Sequence, residues 1–159
     1  MSPTAVAGVG EKAPDFKLKG PGGQPVTLSE YRNQKHVVLV FYPLAFSRVC
    51  SHQLPGVQKA VPEIEARGGT VLGISVDSHY ANEAFAKKLG LTFPLLSDWT
   101  HEASRAYGVY LEDKRYSHRA TFIVDRNGTI VHRDLAETVH DPAKIPGVDS
   151  VVAKLEELK

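Results

Sequence analysis

One thiol stands in a chain of 159 residues: Cys50, within "FYPLAFSRVCSHQL" (41–54), with Pro43 and Ser47 upstream and His52 two residues on. Two chemistries compete for it. A free cysteine is among the most buried residue types and packs as a small hydrophobe. Ionised, it is a nucleophile, and it needs a position that favours the thiolate. A Cys-His hydrolase pair with His52 is disfavoured, because side chains two apart on a helix do not face each other and a papain-like site takes its histidine from elsewhere in the fold. His52 reads as an exposed residue. One cysteine and seven scattered histidines form no ligand-spaced cluster, so neither a metal nor a cofactor is expected.

The elements around Cys50 decide its address. "HVVLVFY" (36–42), "TVLGISVD" (70–77), "ATFIVD" (120–125) and "TIVHRDL" (129–135) are β-branched, apolar runs of strand length. The first two are nearly continuous in apolar character, as central strands covered on both faces are. Asn127-Gly128 signals a hairpin between the last two. Over 50–67, Leu54, Val57, Val61 and Ile64 recur at helical spacing before Gly68-Gly69, and Pro55 and Pro62 predict a kink or a late start. Ser78 is placed to cap a second helix that Gly90 closes. "HEASRAYG" and "VDSVVAKLEELK" supply two further helical segments, "FPLL" a short strand, and "FKLKGPGGQPVTLSEYR" an N-terminal hairpin. Parallel β-α-β crossovers followed by an antiparallel hairpin describe an α/β protein with a mixed sheet, read as one domain over 1–159 without repeat or linker.

Cys50 thus falls at the end of a central strand and the start of the following helix. The crevice beyond strand carboxyl ends is where open α/β sheets bind ligands. Unpaired N–H groups and the partial positive charge of a helix start favour thiolate over thiol, with the Val49 and Cys50 N–H groups as donors.

Composition narrows the field. Nineteen Lys+Arg against eighteen Asp+Glu leave no basic excess for nucleic acid. No window approaches the ~20 apolar residues of a membrane span, and "MSPTAVAGVGEKAPDF" lacks the basic and long apolar regions of a signal peptide. A chain with a single cysteine forms no internal disulfide, which fits a reducing compartment. These features read as a soluble, cytoplasmic protein.

The spacing Pro43-x-x-x-Ser47-x-x-Cys50 resembles the P-x-x-x-[ST]-x-x-C motif of the peroxiredoxins. "GEKAPDFKL", "VLGISVD", "FPLLSD", "AYGV" and "RATFIVDRNGTIVH" resemble further peroxiredoxin segments in the same order. With one cysteine and "PLAF" in the motif, the chain is most similar to the one-cysteine alkyl hydroperoxide reductase E type. The resemblance implies a thioredoxin-like fold with a mixed central sheet flanked by helices, and a thiol peroxidase acting on hydrogen peroxide, alkyl hydroperoxides or peroxynitrite. Cys50 would attack the peroxide, Ser47 would direct its hydroxyl at the sulfur or the substrate, and Pro43 would shield the thiolate from water. Ser47 could instead serve as a helix cap, and Pro43 as a strand terminator. By the same resemblance Arg119, before "ATFIVD", matches the arginine beside the cysteine, and Gln53 matches a position that contacts this arginine. "VCSHQ" departs from the family's common "VCPTE", with Ser51 and His52 replacing proline and threonine.

With no resolving cysteine in the chain, the expected reductant is an external thiol or small redoxin. A redox sensor signalling through Cys50 oxidation without turnover is the alternative, and an inert thiol in a structural module a weaker third. The resemblance also implies a homodimer around the active-site loops, with Phe46 and "DWTHEASRAYG" as candidate interface. For the lone Trp99, core packing is the default.

Overall fold

The computed structural model describes residues 6–47, 50–136 and 148–158, with Cys50 described by its backbone alone. Apolar runs become strands where both faces can be covered. β3 (His36–Phe41) is buried at all six positions, and β4 (Gly69–Ser75) at all but one. They pair in parallel, Val38 opposite Val71, and β4 pairs in parallel with β5 (Leu95–Ser97). Parallel neighbours require crossovers, supplied by α1 (Cys50–Ala66) and α2 (His79–Leu89). The N-terminal hairpin of β1 (Lys17–Lys19) and β2 (Pro25–Thr27) attaches to β5, and β8 (Ala120–Val124) with β9 (Ile130–Leu135) runs antiparallel beyond β3. The seven-stranded mixed sheet has the order β2-β1-β5-β4-β3-β8-β9.

Alternate side chains of the central strands feed two cores. Val38, Val40 and Tyr42 meet Leu54, Val57, Val61 and Ile64 of α1, Phe85 of α2, and Val151 and Leu155 of α4 (Asp149–Glu157). Val37, Leu39 and Phe41 face Ala13, Phe16 and Leu28 of the N-terminal region, and Ala103 and Tyr107 at α3 (Glu102–Ala106). Ser78 caps α2 by accepting from Ala81 N–H at 3.1 Å, and Gly90 ends it at φ 67°.

Three expectations change. α1 begins at Cys50 rather than late, and runs through Pro55 and Pro62, because the apolar stripe from Leu54 to Ile64 is seated against the sheet. Trp99 is 67% exposed instead of packed in the core, since the chain after β5 turns outward at the sheet's end. A small hairpin, β6 (Tyr110–Leu111) and β7 (Tyr116–Ser117), precedes β8 where no strand was expected, its two-residue strands being too short for a hydrophobic pattern. The Asn127-Gly128 signal does make its hairpin. Gly128 N–H donates to Asp125 O at 3.0 Å with φ 84°, and the Asp125 carboxylate accepts from Asn127 and Thr129 N–H.

Candidate active site

β3 delivers the chain to Pro43, and seven residues later α1 starts at Cys50. Pro43 is buried, Leu44 and Phe46 reach solvent, and Phe46 holds a left-handed φ of 67° while its ring packs 5.0 Å from Phe85. The Ser47 carbonyl accepts from both the N–H (2.9 Å) and the hydroxyl (2.8 Å) of Ser51, which fastens the loop to the first turn of α1. The Ser47 hydroxyl oxygen is buried with no hydrogen-bond partner among the described residues, so no capping bond occupies it. Val49 and the Cys50 side chain lie outside the described residues.

The antiparallel pairing of β3 with β8 sets Phe41 opposite Ala120. Arg119, one residue before β8, therefore arrives beside the end of β3. It is 1% exposed, and its Nη1 donates to Gln53 Oε1 across a sequence separation of 66 residues. Gln53 is itself buried, one turn after Cys50. Arg119 O is held by Ala136 N–H at 3.0 Å, and Ser117 Oγ donates to Tyr42 O at 3.2 Å, so the approach to β8 is fixed on both sides. A buried guanidinium keeps its charge, and in low-dielectric surroundings an anion beside it is strongly favoured. His52 is exposed on α1.

One residue of the site escaped the sequence. The Asp77 carboxylate, beyond β4, accepts from Ala45 N–H at 2.7 Å and ties the loop to the neighbouring strand. Behind it, Asn82 is fully buried, accepting from the Tyr42 hydroxyl at 2.5 Å and donating to Leu96 O at 3.2 Å. The polar residues that follow "VLGIS" were the available signal, but an Asp before a helix cap reads as ordinary turn chemistry. Among the described residues no group of His, Cys, Asp and Glu could hold a metal ion, and no helix is long and apolar enough to cross a membrane.

Residues 9–133 match the AhpC/TSA family. The chain belongs to that family of peroxiredoxins. Alkyl hydroperoxide reductase E of Mycobacterium tuberculosis is 46% identical over 124 residues, covering 77% of this chain and 81% of the relative. The chloroplastic 2-Cys peroxiredoxin BAS1 of Hordeum vulgare is 34% identical over 161 residues, covering 95% and 75%. Among solved structures, Mycobacterium tuberculosis AhpC superposes with a TM-score of 0.85 at 29% identity, covering 97% of this chain and 94% of that one. The reduced 2-Cys peroxiredoxin of Plasmodium vivax gives 0.83 at 31%, covering 94% and 81%. This peroxiredoxin has the thioredoxin-like fold and is a thiol-dependent peroxidase. Unlike the relatives named for two cysteines, it carries one.

Proposed function

We propose that Cys50 is the attacking thiolate of a one-cysteine cycle that reduces hydrogen peroxide, alkyl hydroperoxides or peroxynitrite. The observation that carries this reading is the buried Arg119 bonded to Gln53, because it sets a permanent cation against the helix turn that begins at Cys50. The thiolate attacks one peroxide oxygen, an S–O bond forms and the O–O bond breaks; the departing group leaves as hydroxide or alkoxide and takes up a proton, or, from peroxynitrite, leaves as nitrite. Arg119 favours the thiolate and the charge growing on that oxygen. Ser47 offers its unengaged hydroxyl as donor, Pro43 excludes water, and Gln53 orients Arg119.

The product is a sulfenic acid. A thiol attacks it, releasing water and leaving a mixed disulfide, and a second thiol exchanges to return the Cys50 thiolate. A low-molecular-weight thiol or a small redoxin fits this step, and such dependence suits a reducing compartment, the cytoplasm. We infer a homodimer as well, through the end of the sheet where Leu44, Phe46, Tyr80 and Trp99 are exposed. Of "DWTHEASRAYG", Ala103, Ser104 and Tyr107 are buried, so Trp99 carries the apolar surface of that segment.

Stopped-flow mixing of reduced protein with hydrogen peroxide and with a bulky organic hydroperoxide, followed by mass spectrometry, tests the cycle. One equivalent of peroxide should add about 16 Da in a form that a sulfenic-acid probe captures. Added thiol should then sustain many turnovers. A single oxidation without turnover would point to a redox sensor. A Cys50–Cys50 disulfide recycled at the full catalytic rate would overturn the one-cysteine mechanism.

A further inference from the structure

The loop carrying Pro43 and Ser47 is anchored by a charge that the active-site motif does not contain. Asp77 Oδ2 accepts from Ala45 N–H at 2.7 Å and from the Ser75 hydroxyl at 2.8 Å. Ser75 Oγ also lies 3.1 Å from Asn82 Oδ1, but it has one proton, and the shorter contact takes it. The Asp77 carbonyl accepts from Ser97 Oγ at 2.7 Å, and the next residue, Ser78, caps α2. Asp77 is thus braced at its carboxylate from β4 and at its carbonyl from β5, directly before the cap of α2, while the carboxylate's remaining bond goes to one backbone N–H of the loop. Ala45 is the midpoint of that loop, two residues after Pro43 and two before Ser47. A hydrogen bond to an ionised acceptor is about twice as strong as a neutral one.

We propose that Asp77 is a positioning residue for the attack on peroxide, holding Ala45 so that the Ser47 hydroxyl stays aimed over the first turn of α1. The proposal rests on Cys50 being the attacking thiolate. Asp77 touches neither substrate nor sulfur; it acts through the loop. Misplacing a reacting arrangement by about 1 Å can cost ~100-fold in rate.

The test uses the full chain with Asp77→Ala, Asp77→Asn, Ser47→Ala and the double variant Asp77→Ala/Ser47→Ala. Two rates are read for each: oxidation by hydrogen peroxide, and alkylation by iodoacetamide, which needs the thiolate but no aimed hydroxyl. Asp77→Ala should slow oxidation by at least ~10-fold and leave alkylation within about 3-fold. Asp77→Asn keeps an acceptor for Ala45 and should recover most of the rate. The double variant should be no slower than the slower single variant, since both remove one arrangement. Parent-like oxidation by Asp77→Ala, an equal fall in both rates, or losses that multiply in the double variant would each overturn the proposal. Should Asp77→Ala not fold, Asp77→Ser, too short to reach Ala45, takes its place and is read the same way. A parent protein that peroxide fails to oxidise, or that Cys50→Ser leaves equally reactive, would instead sink the assignment of Cys50 and leave Asp77 a loop brace only.

Discussion

Arg119 and Gln53 stand 66 residues apart in sequence and share a hydrogen bond inside the protein. A planar guanidinium presents several N–H donors in a fixed fork, and an ammonium does not. Arg119→Lys should therefore lower the rate of peroxide attack by at least ~10-fold, and Arg119→Met should cost more and raise the Cys50 thiol pKa, read from the pH dependence of alkylation. Ser47→Thr should be nearly silent, whereas Ser47→Ala should lose about 1 to 3 kcal/mol of transition-state stabilisation, measured as the ratio of second-order rate constants. Equal rates for parent and Ser47→Ala would return the hydroxyl to a structural part. The spacing of Pro43, Ser47 and Cys50 was readable because those residues lie on one short stretch between a strand and a helix. Arg119 was readable only through resemblance, since one loop arginine looks like another until β3 and β8 pair. Asp77 was readable only as a turn residue before a helix cap: its partner, Ala45, offers a backbone N–H, and backbone groups carry no signature in sequence.

Elements were legible where burial on both faces wrote continuous apolar runs, as in β3 and β4, and where caps were chemically explicit, as at Ser78 and Gly90. They were illegible where tertiary packing overrode local rules, as at Pro55 and Pro62, or where the element was two residues long, as in β6 and β7. Within β4, Gly73 shows how tightly the strands close on one another. A Cβ there would stand 2.5 Å from Leu95 Cδ2 and 3.5 Å from the Tyr42 ring. Gly73→Ala should lose about 1 to 3 kcal/mol by overpacking, seen as a lower denaturant midpoint at unchanged slope. Because Tyr42 immediately precedes Pro43, the same substitution should slow peroxide attack. An unchanged midpoint would mean that the Leu95 side chain gives way without cost.

Across the whole molecule, two histidines link stability to pH. Burial holds His36 below the ordinary histidine value, with Arg126 reinforcing the effect and Asp125 opposing it. His132 is lowered chiefly by burial, with Asp134 opposing and Lys154 reinforcing. His36 Nδ1 and His132 Nε2 are buried without hydrogen-bond partners among the described residues. A histidine whose folded pKa is depressed contributes its stability fully above the unfolded value of ~6.5 and loses it as pH falls through the folded value. Denaturant midpoints should hold steady from about pH 8 to 7 and decline below about 6.5. His36→Gln/His132→Gln should flatten that decline, and an equally steep fall in the double variant would move its origin to other groups. The sequence showed two histidines in strand runs, but which atoms lose water depends on what packs over them.

Trp99 is the chain's one tryptophan, and it stands 67% exposed beside Tyr80 in a groove at the end of the sheet. All indole emission therefore comes from a single point on the face inferred to join two copies, well away from the buried core. An indole bathed in water emits further to the red than one covered by protein. Diluting the protein should shift its fluorescence to longer wavelength and lower its anisotropy together, at the concentration where the pair separates. A spectrum that stays red at every concentration would mean that this face remains wet, and that any association uses another surface.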